Sequence, residues 1–228
     1  MENEFVSKEN LRTICWYGDV CTNECKSDCI RYLEMKFLMD SSNLPKAKQK
    51  PIDLYPDDID YDTFVELAKI KDNIVDFVAN GNNMYIASET TGNGKTSWAI
   101  KLMLKYFNEI WSGNGFKPRA LFIYVPSFLT QLKNFDKKDQ ALEEIKTLLP
   151  KVDLVVWDDI ASVGISNYDL SQLLTYLDVR VLDEKSNIYT GNLLGKDLED
   201  VLGTRLFSRV WNGSKKFFLK GKDQRGLE

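Results

Sequence analysis

The stretch from Asn83 to Trp111, NMYIASETTGNGKTSWAIKLMLKYFNEIW, constrains the fold more than any other part of the chain. It reads as strand, Gly-rich loop, helix. Met84–Ser88 is a short apolar run, and Glu89–Gly94 is a loop holding Gly92 and Gly94. From Lys95 and Thr96 onward the apolar residues Trp98, Ala99, Ile100, Leu102, Met103 and Leu104 are interrupted only by Lys101. Such a helix belongs against a sheet. Glycines let backbone amides turn inward and approach a polyphosphate closely. The helix start adds unpaired N–H groups and a positive dipole end. The spacing therefore predicts a phosphate cradle lined by Thr91, Gly92, Asn93, Gly94, Lys95, Thr96 and Ser97. Lys95 would supply a point charge to the outer phosphates, and Thr96 a hydroxyl to Mg²⁺. The G-x-x-x-x-G-K-[ST] pattern has glycine where this chain has Glu89. That carboxylate has to point away from any phosphate.

At 228 residues there is room for one medium domain and a small one. Apolar content of 43% supports a sizeable core. The net charge of −4 is no general nucleic-acid signature, but it is unevenly spread. Asp53, Asp57, Asp58, Asp60, Asp62 and Glu66 crowd one region, and Arg205, Arg209, Lys215, Lys216, Lys220, Lys222 and Arg225 crowd the C-terminus. The plain reading is a solvated surface; the other is a meeting with phosphate or an acidic neighbour. No segment is apolar enough to span a membrane and no signal peptide is visible, so the expectation is cytoplasmic, with no membrane partner. The chain has no histidine, which removes His-based nucleophilic catalysis and mixed Cys/His metal sites.

All four cysteines, Cys15, Cys21, Cys25 and Cys29, fall in one short window. In a cytosolic protein such crowding favours metal over disulfides. Zinc held by four thiolates is the first candidate, an iron–sulfur cluster the second, buried thiols the third. A continuous helix would set Cys21 and Cys29 about 12 Å apart along its axis, too far for one ion with Zn–S bonds of about 2.3 Å. The expected layout has Cys15 and Cys21 on a loop around Gly18. Cys25 and Cys29 then lie one turn apart on a helix running to about Met39.

Residues 41–58 hold three prolines and no periodicity, and read as a linker. From Tyr61, the positions Phe64, Leu67, Ala68, Ile70, Ile74, Phe77 and Val78 suit one helix ending near Gly81. Ala120–Val125 reads as a strand, Pro126 onward as a helix, and Gln140–Leu149 as a second short helix. Val152–Asp159 (VDLVVWDD) is a buried strand ending in two carboxylates. Beside a phosphate loop, Asp158 would hold Mg²⁺ and Asp159 would act on the attacking water. The plain alternative is a surface turn after a core strand. Tyr168–Leu182 reads as a helix, and Asn187–Thr190 as a strand leading to Asn192, whose amide could orient a water. A helix over Lys196–Phe207 and a strand over Lys216–Leu219 complete the pattern. Strands alternating with helices imply a parallel α/β sheet with ligand at the strands' C-terminal ends.

Taken together, GNGKT (Gly92–Thr96), VVWDD (Val155–Asp159), TGN ending at Asn192 and LGTRLFSRV (Leu202–Val210) resemble the AAA+ ATPase family. In particular they resemble the DnaC/DnaI-like loaders of the replicative helicase, including phage versions. The resemblance covers roughly Tyr61 to Gly226. GKDQR, ending at Arg225, is similar to the loader C-terminus, and a cysteine-rich module ahead of the ATPase is similar to the DnaI branch. The resemblance implies a P-loop AAA+ core without a full lid, preceded by a small zinc-binding domain with four cysteine ligands. It divides the chain into a module at 1–40, a linker at 41–60 and an ATPase domain at 61–228. It implies ATP or ADP, Mg²⁺ and Zn²⁺ as cofactors. Lys95 and Thr96 serve phosphates and metal, Asp158 and Asp159 the metal and the water, and Asn192 is sensor 1. Arg209 is the arginine finger reaching a neighbour's ATP, with Arg205 the second candidate. The implied partners are a hexameric helicase on the N-terminal module, single-stranded DNA near residues 126–138, and further copies of the chain through the ATPase domain. The implied activity is ATP hydrolysis, slow unless assembled, that loads the helicase onto single-stranded DNA. The departures are Glu89, an aspartate rather than glutamate at Asp159, and no room for a lid. The rivals are an IstB-like transposase helper and a nucleotide-bound adaptor that does not hydrolyse.

Overall fold

A computed structural model describes residues 15–221, apart from 19, 23, 27, 51, 57, 89, 91, 134–138 and 162–164. Its centre is one sheet. The strands are β1 (Asn83–Ala87), β2 (Ala120–Tyr124), β3 (Leu154–Asp158), β4 (Ser186–Gly191) and β5 (Lys215–Phe218). They lie in the order β2-β3-β4-β1-β5, all parallel. Parallel sheets need both faces covered, which explains the near-continuous apolar runs. Alternation along each strand divides the core in two. Met84, Ile86, Leu154, Val156 and Ile188 face one layer. Tyr85, Ala87, Val155, Trp157 and Tyr189 face the other.

The first layer holds α1 (Ile30–Asp40), α2 (Tyr61–Asp72), α3 (Ile74–Ala79) and α4 (Lys95–Ile110). The second holds α5 (Val125–Lys133), α6 (Gln140–Leu148), α7 (Asn167–Leu182) and α8 (Gly195–Phe207), which runs on into a π-turn at Ser208–Asn212. A capping box closes the start of α7: Ser166 accepts from the Asp169 amide, and the Asp169 carboxylate accepts from the Ser166 amide. None of the helices among the described residues is long and apolar enough to cross a membrane.

Three expectations are corrected. The single helix from Tyr61 breaks at Asn73, whose side-chain amide donates to the Lys69 carbonyl at 2.9 Å and competes with the helical ladder. The proline-rich segment does not stand apart. The Ser42 carbonyl accepts the Phe122 amide at 2.7 Å, and Asn43 Nδ2 donates to the Phe122 carbonyl at 2.9 Å, so the segment covers part of the open edge of β2. Leu44 is buried in the core that α4 shares with Tyr17, Met35 and Leu38.

The third correction concerns the thiols. Cys25 and Cys29 do not share a helix, because α1 begins at Ile30 with Cys29 as its extended N-cap. Cys15 and Cys21 pack against the apolar core, while Cys29 is exposed. The Arg31 guanidinium sits 3.3 Å from the centre of the Tyr17 ring and 5.5 Å from that of Trp111, pinning α1 to the end of α4 instead. Among the described residues no three His, Cys, Asp or Glu side chains gather as a metal site. The expected four-thiolate zinc centre is not shown among the described residues.

Candidate functional site

The C-terminal ends of β1, β3 and β4 lie side by side, and the Gly-rich loop leaves the first of them. Gly92 (φ 77°) and Gly94 (φ 93°) take left-handed conformations. At Gly94 there is space for a side chain, with the nearest atom, Leu54 Cδ2, 3.9 Å from a built Cβ. Glycine is required there for conformation and not for room. α4 then starts at Lys95, with the Trp98 amide donating to the Gly94 carbonyl at 2.8 Å.

The loop is tied internally through Asn93, which is buried. Its Nδ2 donates to Ser88 Oγ, to Thr90 Oγ1 at 3.2 Å and to the Leu219 carbonyl at 3.1 Å. Its Oδ1 accepts from Lys95 Nζ at 3.3 Å, and the same ammonium donates to the Thr90 carbonyl at 2.8 Å. Thr90 Oγ1 donates to the Gly221 carbonyl at 3.3 Å. The Asp60 carboxylate accepts the amides of Lys220 and Gly221, both at 2.6 Å. The chain leaving β5 is thus stitched to the loop and to the start of α2.

Asp158 is buried at the tip of β3. Its Oδ1 accepts two hydroxyls at 2.7 Å, from Thr96 on α4 and from Thr190 on β4. The Thr190 hydroxyl in turn accepts the Asp159 amide at 3.0 Å. Asp159 is held at φ 58°, a conformation that aspartate tolerates better than most residues. Burial raises the Asp158 carboxyl above the usual range; the Thr190 and Thr96 hydroxyls and the Lys95 charge pull it back. Asp159 is also raised, by burial and then by the charge of Asp158, against the pull of Lys95. The Thr96 hydroxyl and the Asp158 carboxylate are adjacent hard oxygens, the donor set that Mg²⁺ takes.

Lys95, Thr96, Asp158 and Asp159 lie together at this strand-tip site. Gly92, Asn93 and Gly94 form the loop beside them, and Ser97 lies in the first turn of α4. Thr91, Glu89 and Arg225 lie outside the described residues. Asn192 is exposed one residue past β4. Among the described residues no hydrogen bond joins its side chain to the carboxylates. Arg209 is not at this chain's own loop. Its Nε donates to Asp178 Oδ1 on α7 at 2.8 Å, and Arg205 lies 3.8 Å from the same carboxylate. Sequence reasoning missed Thr190, Asp60 and the side-chain role of Asn93.

The raised carboxyl gives a prediction. A folded-state pKa above the unfolded value means the folded chain holds that proton more tightly. The group's contribution to stability is present in acid and is lost as pH rises through the folded value. Asp158→Asn removes the charge and keeps a carbonyl oxygen for both hydroxyls. Its Tm should rise by a few degrees at pH 7, with a smaller gain at pH 4, in a thermal melt. A lower Tm at pH 7 would contradict this account.

Neither the family models nor the curated proteins match the sequence. Solved structures do match. The DnaC helicase loader superposes with a TM-score of 0.61 at 16% identity, over 73% of this chain and 94% of that one. DnaI superposes with a TM-score of 0.60 at 17% identity, over 80% and 94%. AMPPCP-bound DnaA from Aquifex aeolicus gives 0.56 at 17% identity, over 73% and 48%. At such identities the likeness shows the fold alone: a parallel five-stranded sheet flanked by helices on both faces.

Proposed function

We propose that the chain is an ATPase that loads a hexameric replicative helicase onto single-stranded DNA at replication initiation. One observation carries this reading: the Lys95 ammonium and the Thr96–Asp158 pair share one strand-tip site on a sheet like that of the DnaC loader and DnaI. In this reading the amides from Thr91 to Ser97 cradle the phosphates of ATP or ADP, and Lys95 meets the outer ones. Thr96 and Asp158 hold Mg²⁺, which when bound neutralises charge between the outer phosphates. Asp159 takes the proton of the attacking water, and Asn192 orients that water. Arg209, presented by Asp178, completes the site of an adjacent copy in an oligomer of the ATPase domain. Residues 1–40 contact the helicase, residues 41–60 join that module to the ATPase domain while packing on β2, and single-stranded DNA lies near residues 126–138. The chain works in the cytoplasm.

Turnover of ATP by the full chain, alone and with single-stranded DNA and a hexameric helicase, tests this. Turnover that rises when all components are present supports the reading. Tight ATP binding without turnover in any mixture would favour the adaptor reading instead. Arg209→Ala should leave nucleotide affinity unchanged and lower assembled turnover about 1,000-fold, the low end for a finger supplied in trans. Equal turnover in variant and parent would remove Arg209 from this role.

A further inference from the structure

Asn192 has to stand at a fixed height above the β3 tip to serve a water there, yet its own side chain is exposed and makes no bond to the carboxylates among the described residues. Its placement must come from the backbone around it. Among the described residues, two bonds beside the strand ladder reach that backbone. On one side the Ser88 amide donates to the Gly191 carbonyl at 3.3 Å, a long bond from the base of the phosphate loop. On the other, the Tyr85 hydroxyl donates to the Leu193 carbonyl at 2.9 Å. Tyr85 is in the middle of β1 and fully buried, with its ring edge-on to Trp211 at 5.4 Å. The ring has little freedom, so the hydroxyl is a fixed post under the turn.

The fit is tight. A Cβ on Gly191 would lie 2.2 Å from the Tyr85 oxygen and 3.1 Å from Cζ. Glycine at this position is required by that hydroxyl and not by backbone conformation. The same hydroxyl is within electrostatic reach of the other strand tip. Burial raises its pKa first, and the Asp159 charge raises it further. One buried phenol therefore sits beneath the Asn192 turn and within reach of the Asp159 charge.

We infer that Tyr85 is a positioning residue for Asn192, setting the height of the Gly191–Leu193 turn through its hydroxyl and the absence of a side chain at Gly191. This rests on the ATPase reading for its catalytic consequence, and on geometry alone for its structural one. Tyr85 touches no reacting atom. It fixes the turn from below, while the Ser88 amide ties the turn to the loop that meets the phosphates. A misplacement of about 1 Å at such a site is enough to slow chemistry by up to about 100-fold.

The test is Tyr85→Phe in the full chain, which keeps the buried ring and removes one oxygen. Amide exchange followed by mass spectrometry should speed at least tenfold in residues 192–195 and stay unchanged in the peptide covering Gly92–Thr96. Turnover should fall about tenfold in kcat with KM and nucleotide affinity within twofold of the parent. In an Asn192→Ala background the same change should add less than twofold, because the residue it positions is gone. Gly191→Ala should also slow turnover, and Tyr85→Phe should partly restore it by removing the closest clash. Unchanged exchange at 192–195 overturns the positioning role whatever the turnover. So does a full tenfold loss added to Asn192→Ala. A parent that never hydrolyses ATP, with the exchange change still seen in Tyr85→Phe, sinks the ATPase reading and leaves the positioning of Asn192 standing.

Discussion

Lys95→Ala binds ATP at least about 100-fold more weakly than the parent, with fold and melting temperature intact. The ammonium of Lys95 donates to the Thr90 carbonyl at 2.8 Å and to Asn93 Oδ1 at 3.3 Å, both neutral acceptors. Phosphate oxygens are stronger acceptors, and a charge-assisted bond to them exceeds a neutral one about twofold. Each such bond contributes about 1.5–3 kcal/mol. Two of them, to neighbouring phosphates, amount to more than about 2.8 kcal/mol, which is 100-fold in affinity. The remaining backbone amides cannot replace the charge, because their dipole falls off within the first turn. The side chain is partly exposed and not part of the apolar core, so the fold survives its removal. Titration with a fluorescent ATP analogue reads the result directly. Lys95→Arg should recover little, since a planar fork does not reproduce a compact point charge. Affinity within threefold of the parent for Lys95→Ala would place the phosphate site elsewhere.

The parts of this site that were legible in the sequence are those written in consecutive residues. Gly92, Gly94, Lys95 and Thr96 announce a turn and a helix start together, and the apolar run before Asp158 announces a buried strand with carboxylates at its tip. Bonds that join distant segments left no such trace. Asn93 reaches Leu219 across 126 residues, Asp60 reaches Lys220 across 160, and Tyr85 reaches Leu193 across 108. Nothing at either end of these pairs marks its partner. Strand order was equally hidden, because five alternating strands are compatible with several parallel arrangements. The thiols show the opposite failure. Four cysteines in one window point to a common ligand, but the segment's path is set by Arg31 stacking on Tyr17 and by Leu38 entering the core. Asn73 broke a helix that its apolar spacing continued, because one amide bond to Lys69 outweighs a pattern that says nothing about local competitors. Tertiary contacts decide wherever local preference is weak.

Arg180→Met destabilises the protein by about 3–5 kcal/mol, from several buried acceptors left unpaired at about 1–3 kcal/mol each, while leaving the nucleotide site of the folded fraction unchanged. Arg180 is 0% exposed and stands in the last turn of α7. Its guanidinium makes five bonds: to the carbonyls of Leu149 at 2.7 Å, Val152 at 2.9 Å, Asp153 at 3.4 Å and Ser186 at 2.6 Å, and to Asn187 Oδ1 at 2.7 Å. These acceptors sit where the chain leaves α6 and where β3 and β4 begin, at the end of the sheet opposite Asp158. Asn187 Oδ1 also accepts from Trp157 Nε1 at 3.0 Å, so the knot reaches the residue before Asp158. Burial lowers the guanidinium pKa to about 10, which still leaves it charged at neutral pH. Methionine matches the stem and supplies no donor, so several acceptors become buried and unpaired at about 1–3 kcal/mol each. For a chain of this size the loss lowers Tm by about 6–20 °C, a large share of a total stability of about 5–15 kcal/mol. Arg180→Lys should lose nearly as much, because three donors on one atom cannot span acceptors from three segments. Thermal melts of both variants measure the loss, and ATP affinity at a temperature well below the melt separates it from damage to the site. A drop in Tm below about 3 °C for Arg180→Met, less than the smallest loss expected here, would mean that packing of α7 through Leu173 and Leu177, and not this knot, holds β3 and β4 in register.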